Sequence, residues 1–300
     1  MKISIILPTY NRAELFLERA IDSVVNQSYK DWELIIIDNN STDNTKVLVD
    51  SYKDKQIYLY GISNNGNIAK SRNLGIAKAK GEFIAFLDSD DYWQANKLEK
   101  CMAVLTSNPG YDGVCHAEYW LYPKLNQVIK KYGPEKYFNY KSLLLRGNSV
   151  SLSAMIIRKR NLIQANNFSE NSEMITAEDY DLWIKLAKNR TNIAFTNEPL
   201  GYYQIHGASE SSNISKNTSA IISVIKKHLS GERKMLRLAL ANCWKNTGKQ
   251  YYLNCSNYRS CKAYLKSIKY NYINIEIYLL VLTTIIPAEI YKYLTYKKSK

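Results

Sequence analysis

The stretch Glu82-Phe83-Ile84-Ala85-Phe86-Leu87-Asp88-Ser89-Asp90-Asp91-Tyr92-Trp93 decides how the rest of the chain is read. Phe83 to Leu87 is a continuous apolar run of strand length that ends abruptly in acids. Such a run fits a strand buried on both faces, as in a parallel sheet covered by helices. The carboxyl end of such a strand is where open α/β sheets bind ligands. Asp88 and Asp90, one residue apart, can offer oxygens to a hard divalent cation that also takes substrate phosphates. Alternatively, the acids only cap a helix starting near Gln94.

Upstream, the same grammar repeats. Ile3 to Leu7 is apolar and closes in Pro8-Thr9-Tyr10-Asn11-Arg12, before a helix with Leu17, Ile21 and Val24 on one face. Trp32 to Ile37 is a second buried-type strand ending in Asp38, and Ser41-Thr42-Asp43 supplies capping chemistry for the next helix. Ile57 to Ile62 reads as a third strand, followed by a helix that carries Arg72 and stops at Gly81. Three strand–helix units in this order predict a parallel, right-handed, doubly wound sheet.

Downstream, strands are expected at Tyr111 to Ala117, Ser151 to Arg158 and Leu200 to His206, with an amphipathic helix from Ala177 to Lys188 that turns Tyr180, Trp183 and Ile184 inward. Beyond Ser215 the pattern is helical. The predicted organisation is a body over 1–214 and a helical region over 215–300.

The 300 residues carry a net charge of +14 and are 46% hydrophobic, enough for a real core. The charge is uneven: residues 215–300 hold 16 Lys and Arg against Glu232, Glu276 and Glu289, a net +13, which leaves +1 for the body. That asymmetry implies an anionic partner, nucleic acid or an acidic membrane surface. Helix-turn-helix, zinc and single-strand-binding signatures are all missing, which argues against nucleic acid. The five cysteines lack Cys-x-x-Cys spacing and fit a reducing cytosol. The start Met1-Lys2-Ile3 enters a strand too early for a signal peptide, so a cytoplasmic location is expected. The apolar run Ile277 to Ile286 is short of the about 20 residues a spanning helix needs. Flanked by lysines, it suits a membrane surface, a core helix or an oligomer contact.

Several residues on the predicted rim carry usable chemistry. Asp38 can accept hydrogens from a nucleoside base or ribose, or is simply a turn residue. Arg72 is a fork suited to a base or diphosphate, or lies on a solvated helix face. Of Glu178 and Asp179, one can serve as a base while the other braces a loop, although the helix dipole alone favours acids there. His206 is a metal ligand or a structural histidine.

The order of these pieces resembles the family-2 glycosyltransferases of the nucleotide-sugar-binding GT-A fold, a Rossmann-like, mainly parallel sheet with helices on both faces. It is similar in particular to the non-processive bacterial type that assembles surface polysaccharides. The resemblance covers about residues 3–210. It rests on Pro8 to Arg12, on Ile35-Ile36-Ile37-Asp38-Asn39-Asn40-Ser41-Thr42-Asp43, on Arg72-Asn73-Leu74-Gly75 and on Phe86 to Asp91. Glu178 to Trp183 and Tyr203-Gln204-Ile205-His206-Gly207 complete it.

The resemblance implies that Pro8, Thr9, Tyr10, Arg12, Asp38, Arg72, Asp88 and Ser89 line a UDP-sugar site. It implies that Asp90 and His206, with Asp88 as a further candidate, hold Mn²⁺ or Mg²⁺. It makes Asp179 the general base, with Glu178 and Trp183 supporting the acceptor or its loop. The implied reaction is inverting transfer of a hexose or N-acetylhexosamine to a glycan or lipid-linked oligosaccharide, at the inner face of a bacterial plasma membrane. A non-catalytic nucleotide-sugar-binding partner of a membrane glycan-assembly complex is the alternative. No Gln-x-x-Arg-Trp follows Trp183, which sets the chain apart from processive synthases.

Overall fold

A computed structural model describes residues 2–122, 127–206 and 213–285. Among them a nine-stranded mixed sheet forms. Its strands are β1 (Ile3–Thr9), β2 (Trp32–Asp38), β3 (Ile57–Gly61), β4 (Phe83–Phe86), β5 (Tyr92–Trp93), β6 (Gly113–Leu121), β7 (Val128–Lys130), β8 (Met155–Arg158) and β9 (Ile193–Gln204). The order is β3-β2-β1-β4-β8-β6-β9-β5, with β7 on the side of β6. The first four strands are parallel, as their apolar runs predict. β8 then pairs antiparallel with β4, and the sheet becomes mixed.

Helix α1 (Glu18–Val25), entered through a π turn at Ala13–Leu17, follows β1. Next come α2 (Thr45–Ser51), α3 (Ile68–Lys78), α4 (Lys97–Ser107), α5 (Tyr140–Arg146), α6 (Lys159–Gln164) and α7 (Glu178–Lys188). Ile3, Ile5 and Leu7 of β1, Leu34 and Ile36 of β2, and Phe83 and Ala85 of β4 are inaccessible to solvent, and pack with Leu17, Ile21 and Val24 of the first helical segment. Burying each large side chain is worth about 1.5–3 kcal/mol, so these strands and helix faces form the stabilising centre. Gly75 brings α3 close to β1: a Cβ there would stand 2.5 Å from the Ile6 side chain. That packing fixes the helix carrying Arg72.

Several strands differ from their sequence-predicted bounds, β6 among them, which runs to Leu121, past the expected end at Ala117. β9 starts at Ile193 instead of Leu200; the register with β6 shifts on both sides of the Ala117–Pro199 pair and skips Asn197, Glu198 and Leu200, so Pro199, which has no N–H to give a regular ladder, sits within the irregularity. β8 starts only at Met155, so Ser151 to Ser153 form a loop below the acidic stretch. β5, too short for periodicity to reveal, pairs with β9 right after Asp91. Because β5 intervenes, α4 begins at Lys97 and Asp88 to Asp91 do not cap it.

The chain divides into two compact units. One comprises the described residues of Met1–Tyr140 and Ser149–Ser209, the other those of Lys141–Asn148 and Glu210–Lys300. The second is helical: α8 (Ile214–His228), α9 (Arg233–Leu253), α10 (Asn257–Tyr270) and α11 (Ile275–Thr283). Asn242 of α9 donates from Nδ2 to the Leu145 carbonyl, which attaches the Lys141–Asn148 segment to these helices. Gly207 of the His206 motif, the end of the apolar run at Ile286 and the lysines from Lys292 onward lie outside the described residues. No described helix is long and apolar enough to cross a membrane.

Candidate active site

The carboxyl ends of β2, β1 and β4 form one rim. Thr9 lies opposite Asp38 in the parallel register, and Asp88 follows β4 on the other side of β1. Strand spacing puts the β2 and β4 ends about 10 Å apart, the scale of a nucleoside.

At the β1–β2 end, Asp38 accepts hydrogen bonds from the Ser41 amide (3.1 and 3.2 Å) and from the Ser41 hydroxyl. It is a turn-forming aspartate standing on the rim. Ser41 Oγ accepts from the Asn11 amide at 2.9 Å, while Asn11, in the left-handed region at φ +49°, accepts from the Thr42 amide at 2.8 Å. The loops after β1 and β2 are thereby stitched together. Between them, the Thr9 hydroxyl is buried and has no hydrogen-bond partner among the described residues. A buried orphan hydroxyl carries a free-energy cost that a ligand can relieve. Pro8 precedes it inside β1, and Tyr10 is exposed beyond it.

At the β4 end, Asp90 and His206 meet, with Nε2 of the histidine 2.8 Å from Oδ2 of the aspartate. The His206 ring stacks on Phe16 at 5.0 Å between centroids, and Arg12 sits over the same phenylalanine at 5.7 Å. Arg19 lies 4.1 Å above the Tyr92 ring and reaches the Asp90 carbonyl and the Gln204 side chain, both at 3.4 Å. Ser89 is buried within the acidic turn.

Beneath them, Asp91 accepts from the Ser153 hydroxyl at 2.6 Å and from the Gln204 amide at 3.0 Å, joining the acidic turn to the end of β9. Ser153 in turn accepts from the Asp88 amide at 3.2 Å. Burial, then the neighbouring Asp90, pushes the Asp91 carboxyl well above the usual carboxylate range. Deeper still, Lys97 is fully buried with its ammonium 3.3 Å from the Trp93 ring centre; burial lowers it to about 7 and raises Glu118 to about 7.

Arg72 links this rim to α7. Its guanidinium donates to Asp88 Oδ1 at 2.7 Å and to Glu178 Oε1 at 2.6 Å, and it is almost fully buried. The solvated-face alternative is excluded. Both Nη atoms are engaged by carboxylates, so the fork braces the site. Glu178 also accepts from the Thr176 amide at 2.9 Å, holding the strained φ of +84° at Thr176 just before α7. It is the bracing acid of the pair. Asp179, one residue on, is half-buried; burial and the Glu178 charge raise its carboxyl to about 7, against the pull of Arg72. Trp183, one turn further, has no exposed surface and anchors α7 in the core.

The donor set fits a hard cation in one respect. Ligands about 2.1 Å from an octahedral ion lie about 3 Å apart when adjacent, close to the Asp90–His206 separation. Among the described residues no cluster of three metal-ligating side chains gathers. A cation held by such a pair would keep its other positions for water and phosphate oxygens, the way Mg²⁺ is commonly held.

Sequence reasoning missed Phe16, Arg19, Ser153 and the role of Asp91. Phe16 and Arg19 flank the apolar stripe of the first helix, three residues apart, which was a legible signal. Ser153 had none, because its partner is 62 residues away.

Comparison with known proteins agrees with this architecture. The profile of Glycosyl transferase family 2 matches residues 4–164. An uncharacterized glycosyltransferase of Haemophilus influenzae is 34% identical over 214 residues, covering 70% of this chain and 82% of the relative. The Escherichia coli UDP-Glc:alpha-D-GlcNAc-diphosphoundecaprenol beta-1,3-glucosyltransferase WfgD is 33% identical over 195 residues, 65% of this chain and 73% of the relative. In fold, the chain is similar to S. aureus TarS 1–349 in complex with UDP-GlcNAc, at a TM-score of 0.65 and 19% identity over 94% of this chain and 84% of that one. It is also similar to mannosyltransferase PcManGT from Pyrobaculum calidifontis in complex with GDP-Man and Mn2+, at a TM-score of 0.63 and 16% identity over 94% and 78%. The fold is of the GT-A type, and the chain belongs to glycosyltransferase family 2.

Proposed function

We propose that this glycosyltransferase moves a hexose or N-acetylhexosamine from a UDP-sugar to a hydroxyl of a glycan or lipid-linked oligosaccharide, with inversion at the anomeric carbon. The observation that carries the reading is the bridge from Asp88 through Arg72 to Glu178. It joins the nucleotide rim to the helix start that bears Asp179, a carboxyl poised near neutrality. WfgD, whose name specifies UDP-Glc and a diphosphoundecaprenol-linked GlcNAc, supports the donor and acceptor classes.

The uracil and ribose are received between Thr9 and Asp38, with Pro8 and Tyr10 shaping the loop. The diphosphate lies toward Asp88, Ser89 and Asp90, within the field of Arg12. Asp90 and His206 would hold Mn²⁺ or Mg²⁺, which when bound offsets negative charge on the departing diphosphate. Asp179 takes the acceptor hydroxyl's proton while that oxygen attacks the anomeric carbon opposite the leaving group. A single displacement of this kind inverts configuration, as in inverting hydrolysis with a sugar in place of water. Arg72 and Glu178 keep Asp179 oriented and exclude water from its back.

An acceptor on a lipid places the enzyme at a membrane surface. Ile275, Leu279 and Leu282 of α11 are well exposed, in a unit of strong positive charge, the composition of an interfacial helix facing anionic lipid. The reaction is tested by NMR on the product formed from UDP-sugars and a diphosphate-linked N-acetylglucosamine acceptor. An α-linked donor must give a β-linked product; an α-linked product contradicts single displacement.

A further inference from the structure

The helical unit contains a cavity of about 430 Å³ between α8, α9 and α10. One wall is cationic: Arg259, Lys262 and Lys266 stand three and four residues apart on α10, so they share one face. Among the described residues no acid lines the cavity. None of these three side chains has a carboxylate partner among the described residues. Glu276 of the same unit is engaged by Lys245 and Lys249 at 3.0 and 3.5 Å. Like charges spaced this way on one helix repel each other. An anion seated among them relieves that repulsion.

The opposite wall is aromatic and hydroxylic. Trp244, Thr247 and Tyr251 occupy one face of α9, and the Lys266 ammonium lies 4.0 Å from the Trp244 ring centre. That contact holds the lysine over the cavity and leaves its charge available. The floor is closed by Thr218 and Thr247, whose hydroxyls meet at 3.0 Å. Exposed Ser215 and Ser219 bring two more hydroxyls to the rim.

We propose that this cavity binds a phosphate- or diphosphate-bearing anion. A planar guanidinium fork beside two ammonium groups is a donor set for phosphate oxygens. The volume falls in the range of small-ligand sites. The anion is either a soluble phosphoester or the headgroup of an anionic lipid, and the site belongs to the helical unit alone, so it does not depend on the transfer chemistry.

The test uses the full chain with EDTA and without UDP-sugar, so the outcome is separate from donor binding at the sheet rim. Inorganic pyrophosphate is titrated by calorimetry, and flotation is measured with vesicles of phosphatidylcholine with or without phosphatidylglycerol. Binding is expected in at least one arm; pyrophosphate binding identifies a soluble ligand, and binding only to phosphatidylglycerol vesicles identifies a headgroup. Arg259→Gln/Lys262→Gln/Lys266→Gln should weaken that binding tenfold or more. Lys226→Gln/Lys227→Gln/Lys234→Gln, an equal charge change away from the cavity, should leave it within twofold, and Lys266→Arg should retain it. No binding in either arm, or equal weakening by both triple variants, overturns the proposal.

Discussion

His206 Nε2 stands 2.8 Å from Asp90 Oδ2, two side chains 116 residues apart brought together where β9 ends beside the acidic turn. Phe16 fixes the imidazole plane from one side, and Arg19 fixes the Asp90 carbonyl from another. In the proposed function this pair is the protein's share of a cation site. Asp90→Ala and His206→Ala should each weaken Mn²⁺-supported UDP binding at least tenfold, and EDTA should weaken the wild type similarly. Calorimetry of UDP with and without Mn²⁺ checks this; UDP affinity indifferent to EDTA removes the cation from the account.

Arg72 gives a prediction about stability. Its two carboxylate partners are held in a buried setting, and removing one member of such a network costs about 3–5 kcal/mol. Arg72→Met should therefore lower the Tm of the sheet unit by roughly 10 °C, given about 2–4 °C per kcal/mol for a domain of this size. Arg72→Lys should recover only part, because an ammonium cannot bridge both acids as a fork does. Full stability of Arg72→Met in thermal denaturation would show that the bridge is not structural.

Asp179 links pH to rate. Its carboxyl is raised to about 7 and a base acts deprotonated, so transfer should rise with pH through about 7 and level off above it. A flat kcat/KM between pH 5.5 and 8.5 contradicts the assignment. The same shift acts on stability with the opposite sense. The native carboxyl keeps its proton to higher pH than the unfolded one, so stability falls as pH rises from about 4 to 7. Asp179→Asn should accordingly be the more stable protein at pH 8, by on the order of 1–2 kcal/mol after allowing for partial solvent screening, with the advantage shrinking toward pH 4.

The exposed apolar face of α11 predicts lipid contact. Leu279→Glu/Leu282→Glu should reduce sedimentation with phosphatidylglycerol vesicles severalfold while leaving UDP binding in place. Unchanged vesicle association would move the contact elsewhere.

The parallel core was legible because β1, β2 and β4 are short apolar runs closed by Pro8, Asp38 and Asp88, each followed by a helical pattern. Local chemistry was enough there. The sheet's second half was less legible: β8 is antiparallel, β5 has two residues, and β9 passes through Pro199 by an irregular register with β6. Those features depend on partners distant in sequence, which periodicity does not record. The motif acids were readable as rim residues, but their division of labour was not. Only the geometry shows Arg72 clamped between two carboxylates, Glu178 bracing, and Asp91 joined to Ser153 and Gln204. The attachment of Lys141–Asn148 to the helical unit is likewise invisible in the chain order.

The most direct measurement pairs UDP binding with UDP release in wild type and Asp179→Asn, using UDP-glucose or UDP-N-acetylglucosamine, Mn²⁺ and a diphosphate-linked acceptor. The account predicts UDP affinity within a few-fold of wild type and turnover lower by about a hundredfold or more, the usual contribution of a positioned base. Turnover at the wild-type rate with UDP binding intact would contradict it.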